Sequence, residues 1–157
     1  MAPFSLDALK WRRIIICTAA DEDGFQIRTL ILTMFYRLLP TLIQEGKVFI
    51  AESPLYEITS SKGEIFFAYN ETEKAEIIEK LEGKKYTLQR SKGLGENEPD
   101  MMWQTTMSPE TRRLIQVSPA DEYETQRIFE TLLGDDIVAR KAFIAENGPK
   151  YMDLADI

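Results

Sequence analysis

A chain of 157 residues with 44% hydrophobic and 29% charged positions has room for one ordinary domain, or for a domain with an appendage, and is too apolar to be a disordered segment. Its formal charge of −7 excludes a surface that is basic throughout, so any nucleic-acid contact must be local or borne largely by a partner. With no histidine, Ser-His-Asp and Cys-His nucleophile systems and histidine-ligated zinc are excluded, and a metal site must be built from carboxylates, carbonyls and water, a donor set suited to magnesium or calcium.

The first residues, Met1-Ala-Pro-Phe-Ser5, lack the basic segment and apolar core of a secretory signal. Arg12-Arg13 lead into Ile14-Ile-Ile-Cys-Thr18, a β-branched apolar run that reads as a buried, parallel strand. Its Cys17 is the single cysteine, which rules out an internal disulfide and fits a reduced, cytoplasmic setting. After Asp21-Glu-Asp-Gly24, the apolar positions Ile27, Leu30, Ile31, Met34, Phe35, Leu38, Leu39 and Leu42 recur at helical spacing. Pro40 should kink that helix and Gly46 should end it. The continuous apolar run Leu30–Phe35, extended only by Tyr36, falls far short of the ~20 residues a membrane span needs, so no membrane contact is expected. Lys47–Ala51 is a second strand, and strand, helix, strand is a βαβ unit with parallel strands.

Further on, Pro54–Ile58 and Glu64–Ala68 read as a hairpin around Ser60-Ser-Lys-Gly63. Asn70 or Thr72 caps a charged helix that ends near Leu81, and Tyr86–Gln89 is another strand. A loop, Arg90-Ser-Lys-Gly-Leu-Gly-Glu-Asn97, follows. In the last third, Ser108-Pro109-Glu110 and Ser118-Pro119-Ala120-Asp121 each place a hydroxyl cap before a proline at a first helical position. A short strand at Leu114–Val117 lies between them, and helices are expected over about 120–133 and 135–146. Trp103 and the Met101-Met102 pair read as core.

Asp21 and Asp23 stand where the first strand ends, the edge at which parallel α/β sheets gather ligands. Alternate residues of an extended segment point the same way, so both carboxylates can face one cation; the plain alternative is that Asp23 caps the helix and Asp21 is solvated. Two families place Asp-x-Asp-Gly after an apolar strand. The haloacid dehalogenase-like phosphatases do so with the first aspartate as nucleophile, and Gly134-Asp135-Asp136 resembles their later acidic motif. There, however, the nucleophile follows its strand directly, whereas here Thr18-Ala19-Ala20 intervene, and Gly134 follows an apparent helix.

The second family resembles the whole chain. Residues 14–37, Val48–Tyr56 with its Ile-Ala-Glu-Ser-Pro-Leu-Tyr, Lys92-Gly-Leu-Gly-Glu96, Trp103–Leu114, Leu132-Leu-Gly-Asp-Asp136 and Arg140-Lys-Ala-Phe-Ile144 resemble, in order, segments of the B subunits of type IIA DNA topoisomerases, the DNA gyrase and topoisomerase IV group. The resemblance runs from about residue 5 to 157. It implies an α/β fold: the C-terminal part of a Toprim domain, a Rossmann-like parallel sheet, over residues 1–54, then a mixed, mostly helical tail over residues 55–157.

The resemblance further implies that the Toprim acids hold magnesium beside the scissile phosphate in two-metal phosphoryl chemistry. The attacking tyrosine would come from the partner A subunit, and ATP would be hydrolysed by a separate B-subunit domain that is not in this chain. Asp21 and Asp23 correspond to the second and third acids of the family's Asp-x-Asp-x-Asp-Gly, and Ala19 stands at the first. The family's further glutamate would lie upstream of residue 1. With two of four acids missing, this chain alone is expected to be inactive. Gln26 stands where the family has a histidine near DNA; Lys92, in its glycine-flanked loop, and Arg140 are the other expected DNA contacts. The partners implied are the topoisomerase A subunit, double-stranded DNA and the ATPase domain. The non-enzymatic alternative is a DNA- or partner-binding module whose metal site has decayed.

Overall fold

The computed structural model of the protein describes residues 5–91, 93–119 and 121–154, without the side chains of Glu22, Glu96, Glu122, Asp153 and Leu154. The β-branched run forms strand β1 (Ile14–Cys17), which pairs in parallel with β2 (Val48–Ala51), Ile14 opposite Val48 and Cys17 opposite Ala51. The crossover between them is α1 (Glu22–Leu38) followed by α2 (Pro40–Gln44). The expected kink is a full break, because Pro40 has no N–H to continue α1 and instead occupies the first turn of α2, with Leu39 between them in neither helical nor strand conformation. The chain then turns sharply into β2 through Gly46, whose φ of 61° is costly for any residue with a Cβ.

This βαβ unit encloses one core. Ile16, Leu42, Ile43 and Val48 are buried, with Ile31, Leu32, Phe35 and Leu39 packed against them. Burying a side chain such as Leu42 or Val48 is worth roughly 1.5–3 kcal/mol. The other stripe of α1, with Ile27, Leu30, Met34 and Leu38, is exposed.

The sheet is completed from far along the chain. Strand β6 (Leu114–Gln116) pairs antiparallel with β2, Ala51 opposite Leu114, so the order is β1-β2-β6. The expectation of a parallel sheet therefore holds for β1 and β2 alone among the described strands, and the sheet is mixed.

The tail is mixed, as expected, and its predicted strands form a sheet of their own. Strands β3 (Tyr56–Ser60), β4 (Ile65–Ala68) and β5 (Tyr86–Arg90) are antiparallel in the order β4-β3-β5. The predicted hairpin turns through Gly63, at a φ of 83°. Helix α3 (Glu71–Lys80) is capped by Asn70, whose side chain accepts the Glu73 N–H at 2.8 Å. It closes a second core of Ile58, Ala68 and Leu81, flanked by Phe66, Ile77 and Ile78.

Three expectations for the last third are corrected. No helix starts at Ser108: that residue ends a π-helical turn, Trp103–Met107, that follows the short α4 (Pro99–Met102), and its hydroxyl accepts the Glu110 N–H at 3.3 Å as the chain turns toward β6. Trp103 is not core but 58% exposed, while Thr105 and Thr106 of the same turn are buried. Helix α5 (Glu122–Leu133) is capped by Asp121 rather than Ser118, its carboxylate accepting the Glu124 N–H at 2.8 Å. Asp136 likewise caps α6 (Ile137–Asn147).

Candidate functional site

The βαβ crossover brings together, at the C-terminal ends of β1 and β2, the loop that leads into α1 and the residues that follow β2. Thr18 and Ser53 are both buried there, and the Ser53 hydroxyl donates to the Thr18 carbonyl at 2.9 Å. On the other side, the Arg28 guanidinium, in the second turn of α1, donates to the Thr18 hydroxyl at 3.3 Å and lies over the Phe25 ring at 4.9 Å. Burial pushes the Arg28 guanidinium below its ordinary value, an effect that nearby Glu52 opposes. Among the described residues its buried Nε has no hydrogen-bond partner. Cys17, just before this loop, has its thiol pushed up by burial, with Arg112 opposing.

Gly24 is where the loop admits no side chain. A Cβ there would lie 2.0 Å from the Ala19 carbonyl oxygen, well inside contact distance. This close approach, and not an unusual φ, is what the glycine provides. Asp21 and Asp23 do not act alike. Asp21 is the N-cap of α1 and accepts the Gly24 N–H through Oδ1 at 2.7 Å, while Asp23 is exposed on the first turn. The capping expected of Asp23 thus belongs to Asp21.

Magnesium seeks near-octahedral oxygen coordination. Ala19 has no side-chain oxygen, one oxygen of Asp21 is engaged by Gly24, and no group of three or more acidic or other metal-ligating side chains comes together among the described residues. The N-terminus of a 17-residue helix also presents the positive end of its dipole, which opposes a cation. As a set, the residues present here do not fit magnesium.

The other expected contact residues are dispersed. Gln26 is exposed on the first turns of α1. Lys92 lies outside the described residues. Arg140, on α6, donates to the Gly134 carbonyl at the end of α5, and its buried Nε has no partner among the described residues. Asp136 accepts the Val138 and Ala139 N–H groups, both at 3.0 Å, so Gly134-Asp135-Asp136 serves a helix junction and not the strand-borne acid a phosphatase would need. Arg28 and Ser53, which hold the loop, were not singled out from sequence. Arg28 sits on the helical stripe with Leu32 and Phe35, but a single cation there reads as solvated, and the hydroxyl it meets is identified only by the fold.

A bridge joins this edge to the second sheet. The Glu52 N–H, next after β2, donates to the Arg113 carbonyl at 3.0 Å, and the Arg113 side chain pairs with Glu73 on α3. Tyr69, under that guanidinium, has its phenol pushed up chiefly by burial.

Residues 83–145 match the family model described as the carboxyl terminus of the DNA gyrase B subunit. The chain is 48% identical over 151 residues to the DNA gyrase B subunit of Thermotoga maritima, covering 96% of this chain and 24% of that protein. It is 47% identical over 155 residues to the gyrase B subunit of Metamycoplasma hominis, covering 98% of this chain and 24% of that protein. Against the DNA topoisomerase 4 B subunit of Bacillus subtilis it is 44% identical over 149 residues, covering 93% of this chain and 23% of the relative. It therefore spans about a quarter of the length of the curated relatives it matches. Identity at this level along nearly the whole chain, together with the family-model match, establishes that the chain belongs to the family of type IIA DNA topoisomerase B subunits.

Proposed function

We propose that this chain is the Toprim-and-tail portion of a bacterial type II DNA topoisomerase B subunit, contributing one wall of an ATP-dependent centre that cleaves and religates DNA to change its topology. The observation that carries this reading is 48% identity over 151 residues to a gyrase B subunit. Residues 1–54 would form the C-terminal part of the Toprim domain and residues 55–157 the tail. The placement of Asp21 at the cap and Asp23 on the first turn of α1, just beyond β1, suits such a wall, since ligands of α/β sheets collect at that edge.

In this reading DNA, the A subunit and the B-subunit ATPase domain are the partners, and the setting is the cytoplasm. Gln26 and Lys92 are the proposed DNA contacts, and Arg140 a third if its guanidinium leaves Gly134. Magnesium belongs to the assembled centre and needs acids beyond Asp21 and Asp23. The chain by itself would not turn over. Ala19 supports a second reading, in which this region is a DNA- and partner-binding module without a catalytic metal.

Plasmid relaxation with magnesium and ATP separates the two, using a full-length B subunit that carries this sequence together with its A subunit, with Ala19 as found and as Ala19→Asp. Activity only with aspartate makes the chain a topoisomerase wall inactivated at one ligand position. Activity in both means that Asp21, Asp23 and an acid from elsewhere suffice. No activity in either, with subunits that fold and assemble, leaves the binding module.

A further inference from the structure

We propose that in this chain Asp21 is a helix cap and not a cation ligand, so that the edge between β1 and α1 is a closed, metal-independent structure. The inference rests on the family reading only for which positions would carry acids; the rest is geometry. Asp21 has extended backbone angles, φ −99° and ψ 179°, and its Oδ1 accepts the N–H three residues on, which is how an N-cap satisfies a donor that the helix leaves open. Its backbone carbonyl also begins the helix, accepting the Phe25 N–H at 3.0 Å.

The loop around it is fastened by protein groups. Ser53 holds the Thr18 carbonyl, Arg28 holds the Thr18 hydroxyl, and the backbone of Gly24 packs on the Ala19 carbonyl. The charges at hand also disfavour a dication. The positive end of α1 and the guanidinium of Arg28 both border the loop, and the negative charge that an acid at position 19 would bring is missing. Asp23 on the first turn and Glu52 near Arg28 bring negative charge to the same edge, but they do not gather with Asp21 into a group of three acids among the described residues.

Thermal melting of this 157-residue chain in EDTA and in about 10 mM MgCl2 tests the proposal, with Asp21→Asn, Asp21→Ser and Asp21→Ala compared. Asn and Ser can accept the Gly24 N–H but ligate magnesium poorly, whereas Ala does neither. A cap predicts that Asp21→Ala melts roughly 2–4 °C below Asp21→Asn, and that magnesium leaves the Asp21 chain and the Asn and Ser variants alike. A magnesium-dependent rise in the Asp21 chain that disappears in Asp21→Asn overturns the proposal, as does an Asp21→Ala variant that melts with Asp21→Asn. Should Asp21→Ala not fold, the comparison of the Asp21 chain with the Asn and Ser variants decides by the same magnesium criterion. None of these measurements involves DNA or the A subunit, so a failure of plasmid relaxation and a failure of the cap are separate results.

Discussion

Arg113 donates to the carboxylate of Glu73 at 2.7 Å, across 40 positions of chain, and its guanidinium lies 3.9 Å from the centre of the Tyr69 ring. The contact ties the residue just before β6 to the first turn of α3 and so fastens the β1-β2-β6 sheet to the second sheet. Its energy is limited by solvent, since the two side chains are 46% and 28% exposed. Arg113→Ala is expected to lower unfolding stability by about 0.5–1 kcal/mol, read from the urea midpoint.

The same pair carries a pH dependence. The hydrogen bond from Arg113 is the main reason the Glu73 carboxyl lies below its ordinary value of 4.5. A carboxyl depressed in the folded state contributes stability that is complete above the ordinary value and is lost as pH falls through the depressed one. The difference in urea midpoint between the native chain and Glu73→Gln should therefore hold steady from neutral pH to about 5 and shrink below 4.5. A difference that grows toward low pH would refute the assignment.

Gly24→Ala should be among the more damaging single-methyl changes in the βαβ unit. The new Cβ meets backbone, not a side chain that can swing away, at 2.0 Å from the Ala19 oxygen. The start of α1 must shift, at a cost of roughly 1–3 kcal/mol or more. Chemical denaturation measures it, and a variant as stable as the native chain would mean that the loop and helix are not packed this closely.

Ser53→Ala removes the hydroxyl that donates to the Thr18 carbonyl, and Thr18 is 5% exposed. Leaving a buried acceptor unpaired costs about 1–3 kcal/mol, whereas Ser53→Thr keeps the hydroxyl and should retain most of the stability if the methyl is accommodated. The contrast between the two variants in a melting experiment isolates the hydrogen bond from packing.

The rings of Tyr36 on α1 and Phe129 on α5 stack with centroids 4.6 Å apart and planes 3° from parallel, which fastens the C-terminal helices to the βαβ unit. A double-mutant cycle with Tyr36→Leu and Phe129→Leu should return a coupling of about 0.5–1.5 kcal/mol. Additive effects would indicate that α5 does not rest on α1 in solution.

Local chemistry was enough to locate most elements. The β-branched run 14–18, the helical spacing from Ile27 to Leu42, the break at Pro40, the hairpin about Gly63 and the cap at Asn70 all follow from forces that act within a few residues, and they appear where such forces place them. The motifs also identified the family, because their order along the chain is carried by the sequence itself. What acts between distant residues could not be read this way. Nothing local marks Leu114–Gln116 as the partner of β2, some 60 positions away, since backbone groups pair without regard to side-chain identity. Likewise Trp103 has the composition of a core residue, and only the π-helical turn, which buries Thr105 and Thr106, turns it to solvent. The acidic edge shows the same division. Its carboxylates are plain in the sequence, but whether an aspartate there holds a helix or a cation depends on which N–H, guanidinium and carbonyl groups the fold brings within reach, and for Asp21 that group is the N–H of Gly24.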